Sequence, residues 1–70
     1  MKKYILFLLY DVRTDTSYSQ VVGKTWKKLK PNDYIDIKID LPDNAKEWVL
    51  CKVIKIDKNV ASVEIVKEIK

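Results

Sequence analysis

The sequence predicts a small α+β domain, ordered β-α-β-β-β, with a four-stranded, mainly antiparallel sheet and one helix. Three observations predict it. Tyr34 to Leu41 alternates Ile35, Ile37, Ile39 and Leu41 with polar residues, the period-two signature of a half-buried strand. Two further apolar runs follow it, each set off by turn residues. Before it, Tyr18, Val21, Val22, Thr25, Trp26 and Leu29 recur at intervals of three and four, the spacing of one helical face. An all-β, SH3-like small barrel is the alternative. Residues 1–70 form a single domain, because a chain this short supports one core.

The elements follow in order. From Lys3 to Val12, Ile5, Phe7 and Leu9 fall on one strand face and Tyr4, Leu6, Leu8 and Tyr10 on the other. A strand apolar on both faces belongs in the middle of a sheet. Lys2 and Lys3 precede this run as in a leader, but it is short and is followed by Asp11 and Arg13 instead of small cleavage-site residues. It is also too short to span a bilayer.

Thr16 or Ser17 caps the expected helix, whose polar face carries Ser17, Gln20, Lys24, Lys27 and Lys28 and which Pro31 stops. Gly23 and the β-branched Val21, Val22 and Thr25 oppose it. The competing reading ends a short helix at Gly23 and makes Lys24 to Leu29 a strand. Lys30-Pro31-Asn32-Asp33 is turn chemistry. The strand Tyr34 to Leu41 then turns Tyr34, Asp36, Lys38 and Asp40 outward. Pro42-Asp43-Asn44 makes the next turn. In Lys46 to Asp57, Trp48, Leu50, Ile54 and Ile56 share one face and Val49, Cys51 and Val53 the other. After Asp57-Lys58-Asn59, Val60 to Ile69 points Ala61, Val63, Ile65 and Ile69 inward and Ser62, Glu64 and Glu68 outward.

Two of these strands are apolar on both faces, yet one helix covers one side of a sheet. The sheet therefore either curls into a small barrel or leaves a face for a second copy or a partner, and association is the expectation because large exposed apolar patches are rare on monomers.

Hydrophobic residues make up 47% of the chain and charged residues 34%, a globular composition. The single Cys51 forbids an intrachain disulfide, which points to a reducing, cytoplasmic setting. A net charge of +4 favours acidic partners. All the basic residues but Arg13 are lysine, a point charge in place of the arginine fork that reads guanine edges, so sequence-specific base reading is disfavoured. The lysine and isoleucine richness also fits AT-rich coding DNA, as in mobile elements.

Enzyme chemistry is poorly supplied. Without histidine the commonest general base and zinc ligand are missing, and one cysteine cannot build a zinc site. No cofactor or metal is expected. Asp11, Arg13, Asp15 and Ser17 echo a calcium loop, but Arg13 occupies a ligand position and the glycine and closing glutamate are missing. Cys51 reads as a small buried hydrophobe.

The candidate surface is the segment Lys24, Trp26, Lys27, Lys28 and Lys30, extended by Tyr34 and Lys38 on the next strand. As a helix it presents Lys24, Lys27 and Lys28 in a stripe and turns Trp26 to the core. As a strand it sets Trp26 beside Lys24, Lys28 and Lys30, suited to stacking a base between phosphate contacts. Trp48 is either core or an interface anchor.

Gly23-Lys24-Thr25, followed by Leu29-Lys30-Pro31-Asn32-Asp33 leading into Ile35, resembles the ASCH-type branch of PUA-like domains over Gly23 to Ile39. Asn32 stands where that family usually has glycine. The resemblance implies RNA binding or nucleoside chemistry, with Lys24 and Thr25 as a reactive pair. The residues together point to a small non-enzymatic binding module that binds nucleic acid independently of sequence through its lysine-rich surface. A protein-interaction or inhibitor role, as a homodimer or toward another protein, through the sheet face around Trp48 is the alternative. No membrane association is expected.

Overall fold

The computed structural model describes residues 3–40 and 45–69, and all of its regular structure is β. Five strands form one sheet: β1 (Tyr4–Asp11), β2 (Thr16–Thr25), β3 (Tyr34–Asp40), β4 (Lys46–Asp57) and β5 (Val60–Glu68). The order across the sheet is β2-β1-β5-β4-β3. The β1–β5 pair is parallel and the other three are antiparallel.

The expected helix, and with it the α+β class, is overturned: Thr16–Thr25 is a strand and residues 26–33 are an irregular connection. The competing strand from Lys24 to Leu29 does not form either. The physical reason lies in β1. A central strand has two edges of backbone donors and acceptors to satisfy, and β5 satisfies one of them. The β-branched, glycine-containing segment Thr16–Thr25 is a poor helix but a good strand, and it pairs with the other edge, from Tyr4 opposite Thr25 to Asp11 opposite Thr16. The helical spacing was coincidental. Val21 and Trp26, two of its apolar positions, are more than half exposed, while Leu29 reaches the core from the connection.

The remaining strands occupy the expected stretches in their described parts. In β5, however, the extra residue at Val66 sets Glu68, expected outward, opposite the inward Val49. Ile69, expected inward, lies beyond the strand and is only partly buried, and Ser62, expected outward, is 6% exposed. Ile35, Ile37 and Ile39 are buried while Tyr34, Asp36, Lys38 and Asp40 are exposed. Leu41 and the Pro42-Asp43-Asn44 turn lie outside the described residues. The inner face gathers Leu6 and Leu8, Ala61, Val63 and Ile65, Val49, Cys51 and Val53, and the β3 isoleucines into one core.

Register breaks at Leu9, Val22, Ile54 and Val66 leave an extra residue on one strand of a pair, and such bulges bend and twist a sheet. The break at Ile54 also changes a face. Ile56 pairs with Ala61 and packs against the core, so it does not share a face with Trp48 and Leu50. The sheet thereby curls into a half-barrel, the all-β alternative in outline. Curling shields the inner face without a helix or a second copy. The edge strands β2 and β3 face each other across a seam, with clefts lined by residues of both.

A charged clasp closes one end. Asp11 is 2% exposed on the inner face. Its carboxylate accepts from Arg13 at the backbone N–H (2.9 Å), Nε (3.0 Å) and a terminal guanidinium nitrogen (2.9 Å). The other terminal nitrogen of Arg13 lies 3.1 Å from Glu47, so this guanidinium ties the β1–β2 turn to β4.

Candidate nucleic-acid interface

At the opposite end β2 runs out at Thr25, whose hydroxyl accepts from the Lys27 N–H at 3.1 Å and turns the chain aside. The connection that carries half of the predicted site is then fixed at three points. Leu29 is buried between the exposed Lys28 and Lys30. The Asp33 carboxylate accepts from the Lys30 N–H at 3.1 Å. Asn32 sits in the left-handed region at φ 76°, which asparagine tolerates. Its N–H donates to the Val53 carbonyl and the Val53 N–H donates to the Asp33 carbonyl, both at 2.8 Å. Lys27, Lys28 and Lys30 therefore project from a segment anchored to the core and to β4.

Trp26 is not turned to the core. It is 58% exposed, because Leu29 fills the interior in its place. Lys3 stands over its ring, with Nζ 5.2 Å from the centroid, within cation–π range. Nothing in the sequence signals this contact, which depends on the pairing of β1 with β2.

The second group lies on the outer face of β3 and β4. Here Tyr34 opposes Lys52, Asp36 opposes Leu50, and Lys38 opposes Trp48. Trp48 is 50% exposed and Tyr34 52%, and the Lys38 Nζ lies 6.0 Å from the Trp48 ring centroid. Trp48 is thus a surface residue. Four residues of extended chain place Tyr34 about 13 Å from Lys38, so the two aromatic positions are separate.

A cleft of about 230 Å³ in the seam joins the two groups, with Lys24 and Thr25 on the β2 side and Asp36, Lys38 and Trp48 on the other. The structure thus brings Lys24, Lys38 and Trp48 together. Trp26, Lys27, Lys28 and Lys30 continue from Lys24 along the connection, and Tyr34 stands apart. Asp36 and Lys3 are the members that sequence reasoning missed. The outward position of Asp36 beside Lys38 was a usable signal.

Charge is distributed unevenly. The end where β1, β3 and β5 begin and β2 and β4 finish carries Lys3, Lys24, Lys27, Lys28, Lys30 and Lys58 against Asp33 and Asp57. None of these lysines is in an ion pair among the described residues. At the other end Asp11, Asp15, Asp40, Glu47 and Glu68 outnumber Arg13, Lys46 and Lys67. Arg13 is held by Asp11 and Glu47, and Lys46 by Asp40 at 3.3 Å. The free positive charge is therefore concentrated around Trp26.

Cys51 lies on the inner face, 1% exposed, and burial pushes its thiol up to about 12. The thiolate needed for nucleophilic chemistry is disfavoured there. Among the described residues no group of acidic, cysteine or histidine side chains could hold a metal ion, and no helix is long and apolar enough to cross a membrane. No protein-family model, curated protein or solved structure matches the chain, so the PUA-like resemblance rests on its own residues.

Proposed function

We propose that the protein is a non-enzymatic module that binds nucleic acid largely independently of sequence, through its basic end. One observation carries this reading: a more than half-exposed Trp26 among lysines that have no acidic partner among the described residues. Stacking on an exposed ring beside backbone-tracking cations is the general mode of single-strand binding, and every base has a π face to offer. Lysine point charges supply affinity without base reading.

If Lys24, Lys27, Lys28 and Lys30 each neutralise a phosphate, log K falls against log salt with a slope of about −3 for a single strand. Tryptophan fluorescence titrated with mixed-sequence oligonucleotides at several salt concentrations measures that slope. Lys27→Glu with Lys28→Glu should abolish binding and leave the far-ultraviolet spectrum unchanged. Unaltered affinity in the charge-reversed variant rejects the reading.

A second reading has its own support. On the outer face exposed Trp48 stands beside half-buried Leu50, and half-buried Ile5, Phe7 and Val60 lie on the same face toward the other end of the sheet, apolar surface for a protein partner or a second copy. It predicts a concentration-dependent mass that Trp48→Ala lowers. A monomeric mass for the parent protein at high concentration removes the homodimer.

A further inference from the structure

We propose that the seam cleft beside Trp48 is a subsite for one unpaired base, and that Asp36 makes it prefer guanine. This rests on the nucleic-acid reading above and adds a residue that sets specificity.

The cleft is mixed in charge. Lys24 stands on the β2 wall and Lys38 on the β3 wall, with Asp36 also lining it. The lysines suit phosphates on either side of a bound nucleotide, but a carboxylate repels phosphate. Whatever faces Asp36 must donate hydrogen bonds, and in a DNA strand the donors are on base edges, to which RNA adds its 2′-hydroxyls. The half-exposed Trp48 ring offers a stacking surface on the same cleft. A volume of about 230 Å³ admits one base. Leu50, opposite Asp36 on the ladder, lowers local polarity on one side of the carboxylate.

The chemistry of the bases then ranks them. Guanine presents N1–H and an N2 amino hydrogen side by side, matching the two oxygens of a carboxylate. Cytosine and adenine present one amino group next to a ring nitrogen that is itself an acceptor. Thymine and uracil flank their N3–H with carbonyl oxygens that repel the carboxylate. These edges are occupied by pairing in a duplex and free in a single strand, so the subsite takes single strands.

The test compares single strands of about a dozen nucleotides: all-thymidine, and thymidine with dG, dA or dC at every third position. Each carries a fluorescent end label and is titrated with the intact protein at low salt, with anisotropy as readout. A bidentate contact on an exposed site predicts about fivefold tighter binding of the dG strand than of all-thymidine, with dA and dC between. Asp36→Ala should erase the preference and leave all-thymidine binding equal or slightly tighter, since a negative charge is removed. Asp36 is exposed, so its variant should keep the parent circular dichroism spectrum.

Equal affinities for all four strands, or a dG preference that survives Asp36→Ala, overturn the proposal while the nucleic-acid reading stands. Failure of every strand to bind overturns both.

Discussion

Replacing Arg13 by alanine should destabilise the fold by about 2–3 kcal/mol. The Asp11 side chain is 3% exposed and receives two side-chain donors and one backbone donor from Arg13. Arg13→Ala keeps the backbone donor and removes the other two, leaving a buried carboxylate without its counter-charge. Breaking a buried pair in this way costs about 3–5 kcal/mol. The Arg13 side chain is 24% exposed, so water can replace part of what is lost, and the lower figure follows. For a domain of this size that is a large share of a total near 4–10 kcal/mol, and the midpoint temperature should fall by about 10–20 °C.

The control is Asp11→Ala with Arg13→Ala, which strands no charge and should cost less than the two single changes added together. Arg13→Lys should restore little, since an ammonium cannot make the two-pronged contact. Urea unfolding should be followed by far-ultraviolet circular dichroism, because both tryptophans are half exposed or more in the folded state and report poorly on the core.

The same contact fixes a pH dependence. Hydrogen bonding from the guanidinium holds the Asp11 carboxyl below its ordinary value, despite the opposing effect of burial. The folded state thus favours the charged form. The stabilisation is complete above the ordinary carboxylate range and is lost as pH falls through the lowered value. Arg13 is itself pushed further up by Asp11 and stays charged throughout. The stability gap between the parent and Arg13→Ala should therefore be constant while Asp11 is ionised in both and shrink in acid, first as the unpaired carboxyl of the variant protonates and then as that of the parent does. An Arg13→Ala cost under about 0.5 kcal/mol, or a gap that does not narrow in acid, would show that the clasp is only a solvated surface pair.

Three further outcomes follow from the fold. Lys58 opens the two-residue turn between β4 and β5 at φ 58°, so Lys58→Gly should stabilise by about 0.5–1 kcal/mol in the same urea assay; a loss of stability would contradict the strain. Cys51 should resist an aromatic disulfide reagent at mildly alkaline pH in the folded protein and react quickly in denaturant, and rapid native labelling would contradict its burial. Trp48→Ala should fold and lose less than about 1 kcal/mol, the scale of a cross-strand pair, whereas collapse of the circular dichroism signal would return this tryptophan to the core.

How much of this was legible depended on where each strand finds its partner. β3 and β4 form an adjacent hairpin, and β3 shows water one face, so the sequence carries both the strand limits and the inward isoleucines. β4 and β1 are apolar on both faces, and period alone does not say which face turns in. Trp48 therefore remained open between core and surface until the curl of the sheet placed Val49, Cys51 and Val53 inside. The face of Ile56 depends on a single extra residue at Ile54, a backbone event without a composition signal.

β2 was misread because its identity is set by the free edge of β1, and nothing in Thr16–Thr25 itself reports that edge. Within the candidate site, the lysine segment was visible as a charge run. Its meeting with Lys38 and Trp48 was not, because that meeting is made by the curl that brings the two edges of the sheet together.

The parallel pairing of β1 with β5 governs how the chain can fold. The β1–β2 hairpin and the β3–β4–β5 meander are each local and can form soon after synthesis, but the pairing that unites them needs the first strand and the last. A chain still emerging from the ribosome cannot make it until β5 is free. That pairing closes a loop spanning most of the chain, so its entropy cost is the largest of the four strand pairings. Shortening Leu6 or Val63 at that junction should slow refolding, whereas changes within β3 should mainly speed unfolding.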